Sequence, residues 1–99
     1  MLKTPFETIW SRIVAHAGET FHLKEGRKED DELTYKLTYK IKGTGFYPSR
    51  TNYRISKANF EEVYPMVPID GPGKIKDIVR GSSYVWAVLH DRRISRGEW

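Results

Sequence analysis

The stretch LTYKLTYKIK, residues 33–42, is the clearest structural signal in the chain, because large apolar or aromatic side chains alternate with Thr and Lys along its whole length. Successive side chains of a β-strand point to opposite faces, so a period of two residues is typical of a strand with one buried face. The stretch therefore predicts one antiparallel strand with Leu, Tyr and Ile turned inward and Thr and Lys turned outward. The glycines at 43 and 45 follow it and predict a turn or a bulge.

A second strand is predicted before this one. Phe21 and Leu23 alternate with polar residues, which indicates a short strand. Residues 24–32 contain no apolar side chain, and five of them are acidic. This segment predicts a solvated hairpin connection between the two strands.

A third strand is predicted within residues 46–56, after an initial loop. Pro48 has no backbone N–H to donate, so we expect the first part of this segment to stay out of a central ladder. The strand would turn two residues inward, Tyr53 and Ile55, and two outward, Asn52 and Arg54.

Helices are predicted where apolar residues recur every three or four positions. The first begins at Pro5, with Thr4 and Glu7 as a capping box, and ends before Gly18. The others follow the predicted sheet, at residues 57–64 with Ser56 as N-cap, 74–80, and 84–90 with Ser82 or Ser83 as N-cap.

Together these elements predict a single small α+β domain over residues 1–99: an N-terminal helix, a three-stranded antiparallel sheet, then two or three short helices packed on one face. Residues 91–99 form a basic tail that we expect to fray, with Ile94 as an anchor.

The composition excludes several classes of function. The chain has no cysteine, which excludes disulfides, thiolate metal sites and a cysteine nucleophile, and which favours a reducing, cytoplasmic setting. No apolar run approaches the roughly 20 residues that span a bilayer, so no membrane partner is expected. No cofactor is predicted, and no metal site is predicted because no His or acidic residues have a ligand spacing.

The charge distribution is the best indication of function. The chain has 17 Lys and Arg against 13 Asp and Glu, a net charge of +4. Residues 34–57 hold six of the bases and no acid. This local excess of positive charge greatly exceeds the average over the chain.

Cations at strand spacing, with hydroxyl groups between them, can follow a phosphodiester backbone. The segment 45–54 adds arginine forks, an asparagine that can pair with adenine, and aromatic rings that can stack on bases. We therefore predict a small nucleic-acid-binding domain, with DNA favoured over RNA, and we consider a host-defence or phage system as its setting. The predicted binding residues are Lys36, Lys40, Lys42, Tyr47, Arg50, Asn52, Tyr53, Arg54 and Arg80.

Two other functions stay open. In the first, the chain is a protein-interaction module whose basic strand face docks an acidic partner. In the second, it is a metal-independent ribonuclease in which His22 or His90 acts with Arg54 or Arg80. A non-enzymatic role is favoured over catalysis, because a structural role is the commoner one for each histidine.

Two motifs have both a functional and a structural interpretation. Residues 74–90 have the lengths of a helix-turn-helix, but the second helix is apolar on nearly every side, which favours a buried core helix. Four aromatic residues could form a cage for a modified base, although core filling is the simpler explanation. They are Tyr47, Tyr53, Tyr84 and Trp86.

Overall fold

The alternating stretch forms two strands in the structure, a computed structural model that describes residues 4–24 and 34–99. Most of the predicted connection at 24–32 and Leu33 lie outside the described residues. The described strands are β1 Phe21–Lys24, β2 Thr34–Leu37, β3 Tyr39–Lys42, β4 Gly45–Pro48 and β5 Ile55–Ser56. The described helices are α1 Phe6–Ala15, α2 Lys57–Val63, α3 Ser82–Leu89 and α4 Arg92–Ser95, with 3₁₀ turns at Tyr64–Met66 and Pro72–Ile75.

The predicted α+β class and the antiparallel pairing are confirmed, and the described strands form two sheets, one of two strands and one of three. β1 pairs with β2, and β4 lies between β3 and β5. The chain changes partner at Thr38, whose carbonyl accepts a hydrogen bond from Ser49 N at 2.8 Å, while Gly18 N donates to the carbonyl of Tyr39 at 3.0 Å. The period of two survives this change, because Leu37 and Tyr39 are both buried.

The prediction that Pro48 keeps its segment out of the ladder is wrong. Pro48 ends β4 and lies opposite Tyr39 in β3. The ladder hydrogen bond falls on the neighbouring residues, from Ser49 N to Thr38 O, so the N–H that proline lacks is not needed at this position. β4 is consequently the central strand of its sheet.

The third strand is shorter than predicted. β5 contains only Ile55 and Ser56, which lie opposite Phe46 and Gly45. Asn52 belongs to the bend that precedes it. The strand therefore begins late but ends where predicted, at Ser56, which is the N-cap of α2 and whose hydroxyl accepts a hydrogen bond from Asn59 N at 3.2 Å. The predicted Ser56 cap is therefore confirmed.

The first helix has its predicted core face but not its predicted cap. Ile9, Trp10 and Ile13 are buried. Thr4 does not cap the helix, because its hydroxyl donates to Glu98 Oε1 at 2.7 Å, and Pro5 takes the N-cap position without a side-chain hydrogen bond.

The predicted helix at 74–80 is wrong. The chain forms the 3₁₀ turn Pro72–Ile75 and then a single turn closed by Val79 N donating to Ile75 O at 3.1 Å. Gly81 has a φ of +73° and is the N-cap of α3, in place of the predicted serines. Since Val85, Val88 and Leu89 are buried, α3 is a core helix, as its apolar sequence favours.

The C-terminal residues are packed on the domain, unlike the frayed tail that we expect from the sequence. Ile94 of α4 is fully buried. Trp99 Nε1 donates to Leu89 O at 2.8 Å, and Arg12 forms an ion pair of 3.0 Å with Glu98.

The core lies on the inner face of the β3–β4–β5 sheet. Tyr39 and Phe46 stack there with ring centroids 4.4 Å apart, and Phe60 of α2 packs against Phe46 at 5.0 Å. Helix α1 is joined to the sheet by a buried hydrogen bond of 2.6 Å from Tyr39 Oη to Ile13 O. The opposite face of this sheet carries exposed and half-buried side chains. Among the described residues, no helix combines the length and the apolar character that crossing a membrane requires.

Candidate nucleic-acid interface

The register of β3 and β4 brings basic and aromatic side chains to the outer face of the sheet. Lys40 lies directly opposite Tyr47, and Lys42 lies opposite Gly45. Their neighbours Tyr39 and Phe46 point into the core, so alternation turns both lysines and Tyr47 outward.

Arg54, which precedes β5, completes this arrangement, and we call Lys40, Lys42, Tyr47 and Arg54 the basic face. A methyl group on Gly45 would lie 2.7 Å from Arg54 Nε and 2.8 Å from Tyr47 Cε1. The guanidinium and the ring therefore both lie over Gly45, which is buried beneath them. Arg54 Nη2 also donates to Thr44 Oγ1 at 3.2 Å, which positions the guanidinium.

The three cations of the basic face have no anionic partner in the described chain. Lys40, Lys42 and Arg54 are exposed. None of them forms an ion pair with a carboxylate of residues 4–24 or 34–99. No described carboxylate compensates their mutual repulsion, so an anionic ligand would relieve it.

Some other cations of the same chain are neutralised. Lys57, the last base of the acid-free run, lies 2.9 Å from Glu7. Arg93 contacts Asp91 at 2.8 Å and Glu19 at 3.1 Å. Other described cations, such as Lys74, Lys76 and Arg92, also form no ion pair with a described carboxylate. The basic face differs from them because its three cations share one face of a sheet with an aromatic ring.

Tyr47 is the aromatic side chain of the basic face. It is half-buried, and its hydroxyl forms no hydrogen bond with the described residues. Lys42 Nζ lies 5.8 Å from the centre of its ring. The ring therefore combines an apolar surface with a cation on one side and the Arg54 guanidinium nearby.

Three predicted residues lie beside the basic face or apart from it. Lys36 is exposed on β2, in the two-stranded β1–β2 sheet, where it lies opposite His22. Arg50 and Asn52 are exposed in the connection between β4 and β5. The predicted continuous row of Lys36, Lys40 and Lys42 is therefore divided where the chain changes partner.

The other two predicted residues form a separate cluster. The Arg80 guanidinium lies 4.2 Å from the centre of the Tyr53 ring. A methyl group on Gly81 would lie 3.0 Å from Tyr53 Oη and 3.1 Å from Tyr84 Cδ2, so both tyrosines pack around the start of α3. Burial raises the pKa of Tyr53.

The predicted aromatic cage does not assemble. Trp86 stacks on His90 with centroids 4.9 Å apart, and its Nε1 donates to Ile69 O at 2.8 Å. Tyr47 instead lies on the outer face of the sheet. Tyr47 and Trp86 lie apart because they belong to different elements, β4 and α3.

His90 is engaged in the structure at both ring nitrogens. Nε2 accepts from Ile69 N at 3.0 Å, and Nδ1 lies 3.1 Å from Trp86 O, to which it donates. Burial lowers the pKa of His90. This ring has no nitrogen left to take a proton from a substrate, whereas His22 is exposed on β1.

An open depression of about 350 Å³ is lined by Asp70, Gly71, Gly73 and Lys74, none of which belongs to the basic face. In the described part of the chain, no three His, Asp or Glu side chains come together as a metal site.

Two features of the basic face are not visible in the sequence pattern, namely the roles of Thr44 and Gly45. The pattern GTG indicates only a turn, yet Gly45 admits the ring and the guanidinium, and Thr44 holds the latter. A glycine within a strand often marks a place where another group approaches the backbone closely. Gly45 is therefore the sequence signal that could have indicated the position of the Arg54 side chain. No protein-family model, curated protein or solved structure matches the chain.

Proposed function

We propose that the protein is a small nucleic-acid-binding domain that contacts phosphates through its basic face. The observation that carries the proposal is the grouping of Lys40, Lys42 and Arg54 around Tyr47 with no carboxylate partner in the described chain. Each cation that neutralises a phosphate releases counterions, which supplies affinity without base recognition.

The four side chains suit different parts of a polynucleotide. Lys40 and Lys42 are flexible point charges that can follow phosphates along β3, at a spacing of about 6.6–6.8 Å between alternate residues. Arg54 offers a planar fork that can bind a phosphate in two places, and Thr44 already orients it. Tyr47 offers a stacking surface.

The exposed connection between β4 and β5 extends the proposed surface. Asn52 presents an amide that can pair with a base, and it makes no hydrogen bond with the described residues. The sequence analysis favours DNA over RNA as the ligand. Since DNA and RNA share the phosphodiester chemistry that the basic face would bind, both are used as probes.

Fluorescence anisotropy of a labelled oligonucleotide tests the proposal. The variant Lys40→Ala/Lys42→Ala/Arg54→Ala should lose affinity about tenfold or more at about 50 mM salt, because three phosphate contacts disappear. Lys57→Ala, which removes a cation already paired with Glu7, should change the affinity little. Unchanged affinity of the triple variant, or no binding by the unaltered protein, would overturn the proposal.

An acidic protein partner is the second candidate, because the same unpaired cations would complement it. A polyglutamate competitor separates the two functions. If it displaces the oligonucleotide only at a large excess of charge, the nucleic-acid function is supported. If polyglutamate binds as tightly as the oligonucleotide, the interaction module is favoured.

A further inference from the structure

We infer that the ligand of the basic face is single-stranded nucleic acid, with one base stacked on the ring of Tyr47. This inference rests on the proposed function and specifies its ligand. It follows from the shape of the surface and from the position of the one aromatic ring among its cations.

The shape of the surface favours a single strand over a duplex. The basic face extends over three neighbouring strands, β3, β4 and β5 with the residue before it. The major groove of DNA admits an α-helix or a two-stranded ribbon, and three backbones spaced about 4.8 Å apart, with their side chains, are too broad for it. A duplex could therefore touch the basic face only through its phosphates, which would leave Tyr47 without a role.

The position of Tyr47 points to a base as its partner. A tyrosine on the solvent face of a sheet has a largely apolar ring that gains nothing from water, and its hydroxyl has no hydrogen-bond partner in the described chain. Gly45 lies under the ring, so the ring rests close to the strand beside Arg54. A base laid on this ring would have its phosphates within reach of Lys42, whose Nζ is 5.8 Å from the ring centre.

Every base has a π-face, so stacking on Tyr47 would tolerate many sequences. The cations around the ring would hold the backbone on either side of the stacked base. The expected property is affinity for unpaired nucleic acid with little sequence preference and a strong salt dependence.

The test compares three ligands of equal length on the unaltered protein: oligothymidylate, an abasic oligomer with the same phosphates, and the corresponding duplex. We expect oligothymidylate to bind about 5- to 150-fold more tightly than the abasic oligomer, the range that one stacked base supplies. The duplex should bind more weakly than oligothymidylate. Single-stranded RNA is measured as well, because RNA and DNA offer the same phosphates and bases and only the comparison shows which of them the protein prefers.

Two variants test whether the tighter binding of oligothymidylate depends on the ring of Tyr47. Tyr47→Leu should lower the affinity for oligothymidylate to that for the abasic oligomer. Tyr47→Phe keeps the ring and should retain the preference for oligothymidylate over the abasic oligomer. If Tyr47→Leu fails to fold, the comparison of oligothymidylate with the abasic oligomer on the unaltered protein tests the inference by itself.

The outcomes separate this inference from the proposed function. Equal affinity for oligothymidylate, abasic oligomer and duplex, with a loss in Lys40→Ala/Lys42→Ala/Arg54→Ala, would overturn stacking and leave phosphate binding intact. Tighter binding of the duplex would also overturn the inference alone. Absence of binding to every probe would overturn both.

Discussion

Lys40 and Tyr47 are directly opposed residues of the antiparallel β3–β4 ladder, and both lie on the face of the sheet that is turned away from the core. Opposed side chains on one face of a sheet lie about 4.5–5.5 Å apart at Cβ. A cation and an aromatic ring are thus held together by backbone pairing, without depending on a flexible loop. The same pairing places Gly45 opposite Lys42 and leaves room for Arg54.

Gly45→Ala should weaken nucleic-acid binding although it removes no charge. The added methyl group would lie 2.7 Å from Arg54 Nε and 2.8 Å from Tyr47 Cε1, so the guanidinium and the ring must move. We expect the affinity to fall about fivefold or more and the free energy of unfolding to fall by about 1–3 kcal/mol. Anisotropy and urea denaturation measure the two effects.

Gly73→Ala is the control for this change. A methyl group on Gly73 meets nothing within 4 Å, so neither affinity nor stability should change appreciably. If Gly45→Ala binds as the unaltered protein does, the close packing of Tyr47 and Arg54 over Gly45 has no part in binding.

Stability should decline as the pH falls below about 6.5, through His90. Burial lowers the pKa of His90 from its ordinary value of 6.5, so in this range the unfolded chain takes up a proton that the folded chain does not. The contribution of His90 is complete above pH 6.5 and is lost as the pH falls toward its lowered pKa. Protonation would also remove the acceptor for Ile69 N.

Urea denaturation at a series of pH values from about 7.5 to 5 measures this decline. The decline should shrink in His90→Gln and persist in His22→Gln, since His22 is exposed on β1. The carboxylates with lowered pKa values have ordinary values of 3.8 for Asp91 and 4.5 for Glu19 and Glu98, so the stability that they contribute is lost below this window. The same decline in His90→Gln as in the unaltered protein would refute the role of His90.

Tyr39→Phe should destabilise the domain. Tyr39 is 1% exposed, and its hydroxyl donates to Ile13 O at 2.6 Å, a carbonyl near the end of α1. Ala17 N donates to Val14 O instead, so without Tyr39 this carbonyl is left with no hydrogen bond. The loss should be about 1–3 kcal/mol in the free energy of unfolding.

The matched control is Tyr47→Phe, which removes a hydroxyl that has no hydrogen-bond partner in the described chain. Its free energy of unfolding should lie within about 0.5 kcal/mol of the unaltered protein. Similar values for both phenylalanine variants would show that the hydrogen bond to Ile13 contributes nothing.

Local patterns predict which side chains of this chain face the core, because a strand period depends only on neighbouring residues. Tyr39 is buried and Lys40 is exposed, as the alternation in 33–42 indicates. The change of partner at Thr38 is not predictable in this way, since it depends on Ser49 and Gly18, which are distant in sequence.

The sequence pattern predicts part of the basic face. Arg54 shares the outer face with Lys40 and Lys42, as expected from an outward position beside the central stretch. Lys36 lies in the β1–β2 sheet, and Arg80 packs on Tyr53, away from the basic face. Sequence reasoning could not separate these residues, because strand partners and loop packing are set by the tertiary structure and not by local period.

If the basic face binds nucleic acid, the location of the cations, and not their number, determines the affinity. Lys40→Ala/Lys42→Ala/Arg54→Ala should be compared with Lys74→Ala/Lys76→Ala/Arg92→Ala, which removes the same residue types from exposed positions on other elements. The measurement is the slope of log affinity against log salt concentration for oligothymidylate. We expect the slope to become less negative by about 2 in the first variant, from three lost contacts at about 0.7 each, and to stay near its original value in the second. Equal slopes in the two variants would contradict the claim.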